Sequence, residues 1–219
     1  MRSFSLGIVL FFASTCCVFS MINVSPLIID FNGATPDYQD IKVKNLSDKT
    51  AYVDVSLRSR SVKEGKVQVS EPIVGNSFHK GLVLSKDKLV IAPRAFVVLR
   101  AMSVMKNPSH DHNFDIVFTQ VPDPFKKLKP PAPLIQVTAR FNVVYDVQAF
   151  VRPLAHPLAL DFKRQNTQLD IANNGKSNVL FEILNICKGN ACQEEEPFRL
   201  YASEHKKLTL PFKPDHISY

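Results

Sequence analysis

The sequence predicts an all-β protein of two antiparallel sandwich units, the second short enough to be incomplete. Three observations carry this. Apolar residues recur at every second position in short runs, and turns rich in Pro, Asn, Asp and Lys separate the runs. No amphipathic helical stretch of useful length interrupts them, which is the pattern of a sandwich. With 219 residues, 45% hydrophobic and 21% charged, the composition argues against wholesale disorder.

Taken in order, residues 1–20 predict a cleaved export signal. Arg2 supplies the positive start, residues 6–12 the apolar core, and Val18-Phe19-Ser20 a small-x-small cleavage site. The apolar run falls short of the ~20 residues that span a bilayer. Ala13-Ser14-Thr15 before Cys16 and Cys17 meets a lipid-anchor pattern only in part. A first strand is expected over residues 22–31, and a second over 39–45 with Ile41 and Val43 inward. A third follows over 51–57 with Val53, Val55 and Leu57 inward. Further strands are expected over 81–84, 88–91, 95–102 and 114–121.

Residues 134–151 form the most informative segment. Ile135, Val137, Ala139, Phe141, Val143, Tyr145 and Val147 alternate with Gln136, Thr138, Arg140, Asn142 and Asp146. Its length of about 18 residues compares with ~5–6 for an ordinary strand. Two readings stand. One is a core strand with a bulge at Val143-Val144, where the alternation doubles. The other is a long edge strand that offers its apolar row to another chain.

Val151-Arg152-Pro153-Leu154 marks a boundary, because proline removes a ladder donor and stiffens the chain. Domains are therefore expected over residues 21–152 and 153–219. The second holds short strands over 158–163, 168–172, 179–186, 198–202 and 207–212, with an Asn173-Asn174-Gly175 turn. It is shorter than the ~100 residues of a seven-stranded sandwich.

Positive signs of catalysis are absent from the sequence. Only 7 glycines are present, and neither GxGxxG nor GxxxxGK[ST] occurs, which excludes the nucleotide enzymes built on them. No GxSxG appears. His110-Asp111-His112, with His79 as a distant third, is the nearest thing to a metal cluster. Its Pro108-Ser109 and Asn113 flanks read as a solvated surface turn, so no metal and no cofactor is expected. Glu194-Glu195-Glu196 reads as a loop. Two of the four cysteines leave with the leader, and Cys187 and Cys192 in an exported chain read as one short disulfide. The net charge of +7 is spread out, with no aromatic-plus-basic motif, so nucleic acid is not an expected partner.

Several segments together resemble the periplasmic chaperones of pilus and fimbria assembly, the PapD-like family. Ile22-Asn23-Val24-Ser25-Pro26 is similar to that family's first strand, and DIKVKN over 40–45 to its second. KLVIAPRAFVVLR over 88–100 and VFTQVPD over 117–123 resemble later strands and their proline turns. Phe150-Val151-Arg152-Pro153 resembles the close of the family's first domain, and residues 184–202 its second-domain cysteine pair and following strand. The segment from Gly81 and the run Asn142-Val143-Val144-Tyr145 most resemble the alternate branch serving class 5 fimbriae.

The resemblance implies two immunoglobulin-like domains, a periplasmic location and fimbrial or pilin subunits as clients. An outer-membrane assembly usher would be a second partner, with no enzymatic activity. It further implies donor-strand complementation, in which Ile135, Val137, Ala139, Phe141 and Val143 fill a groove in the subunit. The family's carboxylate anchor is not carried over simply. Gln148 stands where a lysine is expected, and Leu27-Ile28-Ile29 where an arginine is usual. Arg140 and Arg152 are the alternative anchors. An empty chain with an exposed edge strand is expected to be capped by a second copy. The rival reading is an exported structural or adhesive sandwich module without clients.

Overall fold

Alternation along the chain resolves into strands, and no helix forms among the described residues. A computed structural model describes residues 22–72, 81–125 and 144–219. The first ten strands are β1 (Ile22–Ser25), β2 (Ile28–Phe31), β3 (Tyr38–Asn45), β4 (Ala51–Lys63), β5 (Lys66–Val69), β6 (Leu82–Leu84), β7 (Lys88–Ile91), β8 (Phe96–Ser103), β9 (His112–Val121) and β10 (Val144–Val151). One sheet runs β1-β3-β8-β6. The other runs β2-β10-β9-β4-β5, with β7 also on β4. Side chains from both sheets, among them Ile22, Ile41, Leu99, Val55, Ile116 and Val147, fill one apolar core.

Eight shorter strands follow: β11 (Leu160–Gln165), β12 (Gln168–Asn173), β13 (Val179–Phe181), β14 (Leu184–Lys188), β15 (Ala191–Glu195), β16 (Phe198–Leu200), β17 (His205–Thr209) and β18 (His216–Ser218). They pair as β11-β12-β17, β13-β16 and β15-β14-β18. Leu169, Ile171, Phe181, Leu184, Ile186, Leu200 and Leu210 make a second, separate core. Cys187 and Cys192 face each other across β14 and β15 and are joined by a disulfide, with Cα atoms 4.0 Å apart.

Four expectations need correction. The strand over 22–31 is two strands, because Pro26 cannot donate to a ladder. β1 pairs with β3 in one sheet and β2 with β10 in the other. The strand over 179–186 also divides, since its inward residues Phe181 and Leu184 are three apart and cannot share one face of a regular strand. His110-Asp111-His112 is not a solvated turn: Asp111 is 5% exposed and His112 opens β9. Glu194 and Glu195 lie on β15, not in a loop.

Each set of strands is locked by a buried asparagine at a strand end. Asn45 is fully buried, and its amide donates to the carbonyls of Lys49 (2.7 Å), Ile91 (3.0 Å) and Ala92 (3.1 Å). Its Oδ1 accepts from Ser47 N and Oγ. Asn173 repeats the device in the second set: Nδ2 donates to Ser177 O and Leu200 O, and Oδ1 accepts from Gly175 N. A buried amide satisfies turn groups that a ladder leaves unpaired.

Candidate functional site: the β2–β10 edge and the face beside it

β10 carries the second half of the long alternating segment, and its neighbours define the site. On one side it pairs antiparallel with β9 along its whole length, from Val144↔Thr119 to Val151↔His112. On the other it pairs parallel with β2, from Gln148↔Ile28 to Val151↔Phe31. Gln148 N donates to Leu27 O and Arg152 N to Phe31 O. β2 thus covers the Gln148–Val151 half, and β10 continues past it toward Val144. Apolar side chains stand exposed at this step: Leu27 at 52%, Ile28 at 50% and Val144 at 50%.

The two faces of β10 differ as a period of two requires. Val147, Ala149 and Val151 are in the chain's own core, with Tyr145 packed against it and its hydroxyl donating to Ile22 O at 2.9 Å. The lower end of the apolar row read from the sequence is therefore inward. Its upper part, Ile135, Val137, Ala139, Phe141 and Val143, lies outside the described residues. So does Arg140.

The opposite face carries Asp146, Gln148 and Phe150, and register extends it into rows across the sheet. One row is Ile28, Gln148, Asp115 and Arg58; the next is Asp30, Phe150, Asn113 and Arg60. The second set of strands closes over the latter row. Arg199 sits over the Phe150 ring at 4.4 Å, and Asn178 Nδ2 donates to Asn113 Oδ1.

Two arginines at this face are paired with carboxylates. Arg60 Nε donates to both oxygens of Asp115 at 2.8 Å, with Asp115 only 1% exposed. Burial works against the Arg60 charge, but the Asp115 bond and the neighbouring acids outweigh it, so its pKa is raised. Arg152 Nε donates to Asp30, and its Nη atoms to Ser177 Oγ (2.7 Å), Asn178 O (3.1 Å) and Asn178 Oδ1 (3.2 Å). Those contacts occupy the fork of Arg152 within the chain. Arg199 donates to Asn178 Oδ1, and its pKa is pushed down by burial first and by the Arg152 charge second. Gln148 is half-buried in the middle of its row.

Beside this face a cleft of about 770 Å³ opens between β4, β9 and the Gly175-Lys176 and Ala202-Ser203 turns, lined by Arg60, His110, His112 and Lys176 among others. The two imidazoles stack at 4.8 Å. Burial and then the His110 charge hold the His112 pKa below its usual 6.5. No group of three His, Cys, Asp or Glu suited to a metal occurs among the described residues.

No protein-family model and no curated protein matches the sequence. Solved structures do. The class 5 fimbriae chaperone CfaA superposes with a TM-score of 0.63 at 17% identity, over 89% of this chain and 92% of that one. The fold is that of the fimbrial chaperones. A chain of the chaperone–tip adhesin complex of CFA/I fimbriae biogenesis gives 0.61 at 17% identity, covering 89% of this chain and 90% of that one. The Salmonella enterica SafA pilin–SafB chaperone complex gives 0.59 at 12% identity, over 91% and 95%. β10 is the described part of the segment over residues 134–151 that the sequence singles out. The chemistry missed in the sequence is the basic face of β4. Arg58 and Arg60 occupy alternate positions there, after Asp54 and Ser56, but only register puts Arg58 in the row of Gln148 and Arg60 in that of Phe150.

Proposed function

We propose that this chain is a periplasmic chaperone that binds fimbrial or pilin subunits by donor-strand complementation and hands them to an outer-membrane usher. One observation carries the reading: β10 runs on past the end of β2, with exposed Leu27, Ile28 and Val144 at the step. A strand edge flanked by apolar side chains is where an added strand gains both ladder hydrogen bonds and burial. The solved neighbours support it, since they include chaperones of fimbriae and a chaperone bound to a pilin.

In this reading residues 1–20 are the export signal, 21–152 the subunit-binding domain and 153–219 the second domain. Ile135, Val137, Ala139, Phe141 and Val143 enter the subunit groove. Gln148 and Arg140 contact the subunit near the domain junction, while Arg152 chiefly holds that junction together. The activity is non-catalytic, and an empty chain pairs with a second copy through the same edge.

Purification of the tagged chain from the periplasm of its native host tests the proposal. The expected result is one equivalent of a pilus subunit that is itself unstable when expressed alone. Recovery of the chain alone, from cells assembling fimbriae, would support the client-free module instead.

A further inference from the structure

The His110-Asp111-His112 triplet is a motif for which subunit binding has no use. In extended backbone, residues two apart share a face. Here the two imidazoles stack at 4.8 Å, with 27° between their planes. Asp111 points the other way: it is buried, and its Oδ2 accepts from Asn178 N and Nδ2. Its backbone N donates to Lys176 O at 2.7 Å. The middle residue thus pins the triplet to the second set of strands and leaves both rings on the wall of the cleft beside β9.

Two imidazoles held side by side on one wall are a chelating pair. Ser109 Oγ lies 3.0 Å from His110 Nδ1. A ring that donates Nδ1–H to such a partner keeps a free lone pair on Nε2, the usual support for a ligating histidine. His110 is exposed and His112 half-buried, so an ion reaches them from solvent. Metal–nitrogen bonds of ~2.0–2.1 Å need the two nitrogens roughly 3–4 Å apart. A small turn of the exposed His110 ring supplies that from the stacked arrangement. The chemistry of the lining selects the ion. Asp111 is the acid among the lining residues, and Asn178 already occupies it. Ca²⁺ and Mg²⁺, which take oxygen ligands, are therefore poorly served. Lys176 lines the same cleft, and its charge favours an ion held by strong nitrogen bonds over one held by charge alone. Imidazole sites bind Cu²⁺ most tightly among the first-row divalent ions, and thioethers also suit copper. Met105 places one on the same lining.

We propose that His110 and His112 form a copper-binding site of this chain. One nitrogen from each ring takes an equatorial position on Cu²⁺, water fills the others, and Met105 is the soft donor available on the cleft lining. Nothing in the site depends on subunit binding. A bound ion ties residue 110 to residue 112 across Asp111, and so secures the contact between Asp111 and Asn178. Because the ion binds the folded chain, it should raise the melting temperature as its concentration rises.

The test titrates Cu²⁺ alone, and then Zn²⁺ alone, into the tag-free chain expressed without residues 1–20, in a non-coordinating buffer at pH 7.5. One equivalent of Cu²⁺ should bind, more tightly than Zn²⁺, with two equatorial imidazole nitrogens in its electron paramagnetic resonance spectra. His110→Gln should leave one imidazole on the ion. Losing even an outer-shell partner typically weakens a metal site 10–100-fold, so losing a ligand should cost roughly tenfold or more. His112→Gln should do the same. His216→Gln, on the exposed start of β18, should change nothing. Should His112→Gln fail to fold, His110→Gln, at an exposed position, carries the test alone. A parent spectrum without two imidazole nitrogens, or equal Cu²⁺ affinity in folded His110→Gln, overturns the site. Zn²⁺ bound more tightly than Cu²⁺ would overturn the assignment to copper.

Discussion

Arg152 Nε lies 2.7 Å from Asp30 Oδ2, joining the end of β10 to β2. The same guanidinium reaches Ser177 and Asn178 in the second set of strands. From the other side, Asp111 Oδ2 accepts from Asn178 N (2.6 Å) and Nδ2 (2.7 Å). Asn178 is thus held by a cation and an anion that both belong to the first set.

Arg152→Ala should loosen that junction. It strands Asp30, which is a third exposed, so the cost falls below that of a fully buried pair, at about 2 kcal/mol. Calorimetry should show a lower melting temperature, with the two sets of strands no longer unfolding as one transition. An unchanged single transition would show that the Asp111–Asn178 bonds and the remaining contacts hold the junction without Arg152.

Asn45→Asp changes almost no volume but replaces an amide donor that serves three carbonyls with a carboxylate facing them. A loss of roughly 3 kcal/mol or more is expected at pH 7, read from the urea midpoint. Asn45→Ala should cost less, since it leaves the carbonyls unpaired without adding charge. If the aspartate variant is the more stable of the two, the amide is not what secures the turn.

Asn45 also shows how far the sequence could be read. The alternation of Ile41 and Val43 announces β3, and the Asn that ends it follows from the same pattern. The split of residues 22–31 into two sheets was signalled by Pro26, yet periodicity alone treats Ile22 to Phe31 as continuous. The burial of Asp111 was hidden for a different reason. Its partner Asn178 is 67 residues away, and a polar triplet after Pro108 looks solvated until the second set of strands covers it. Arg58 was illegible for the same cause: a basic residue on a polar face is ordinary, and only the register of β4, β9 and β10 puts it beside Gln148.

His112 gives the fold an acid limb. Its folded pKa is below the ordinary 6.5, through burial and then the His110 charge. As pH falls past 6.5 the unfolded chain takes the proton first, so stability falls with it. His112→Gln should flatten the stability profile between pH 7.5 and 5.5. A mutant as pH-sensitive as the parent over that window would assign the slope to other groups.

The Cys187–Cys192 bond closes a short loop, so its removal should be tolerated. Replacing both by Ser should cost about 2 kcal/mol, the chain-entropy value for so few residues. Unreduced protein expressed without residues 1–20 should show no reactive thiol; two would exclude the bond.

The donor assignment is tested at Phe141. The odd-numbered row of residues 134–151 ends in the chain's own core at Val147, Ala149 and Val151. If the strand stays regular, Phe141 belongs to the same row, three positions of alternation before Val147. It is the largest side chain of the five proposed to enter the subunit, and large aromatics carry a disproportionate share of interface energy. Burying a Phe is worth ~1.5–3 kcal/mol in transfer terms, and an unpaired charge in its place costs more. Phe141→Asp should therefore abolish subunit capture. Because a donor side chain is filled by the partner and not by its own sandwich, the melting temperature of the free protein should stay close to the parent's. Val147→Asp is the internal comparison, since Val147 is fully buried in the core and its replacement should unfold the protein. Both properties must be measured on the same preparation. If Phe141→Asp lowers the melting temperature as Val147→Asp does, Phe141 is a core residue and the client-facing part of the strand has to be sought elsewhere.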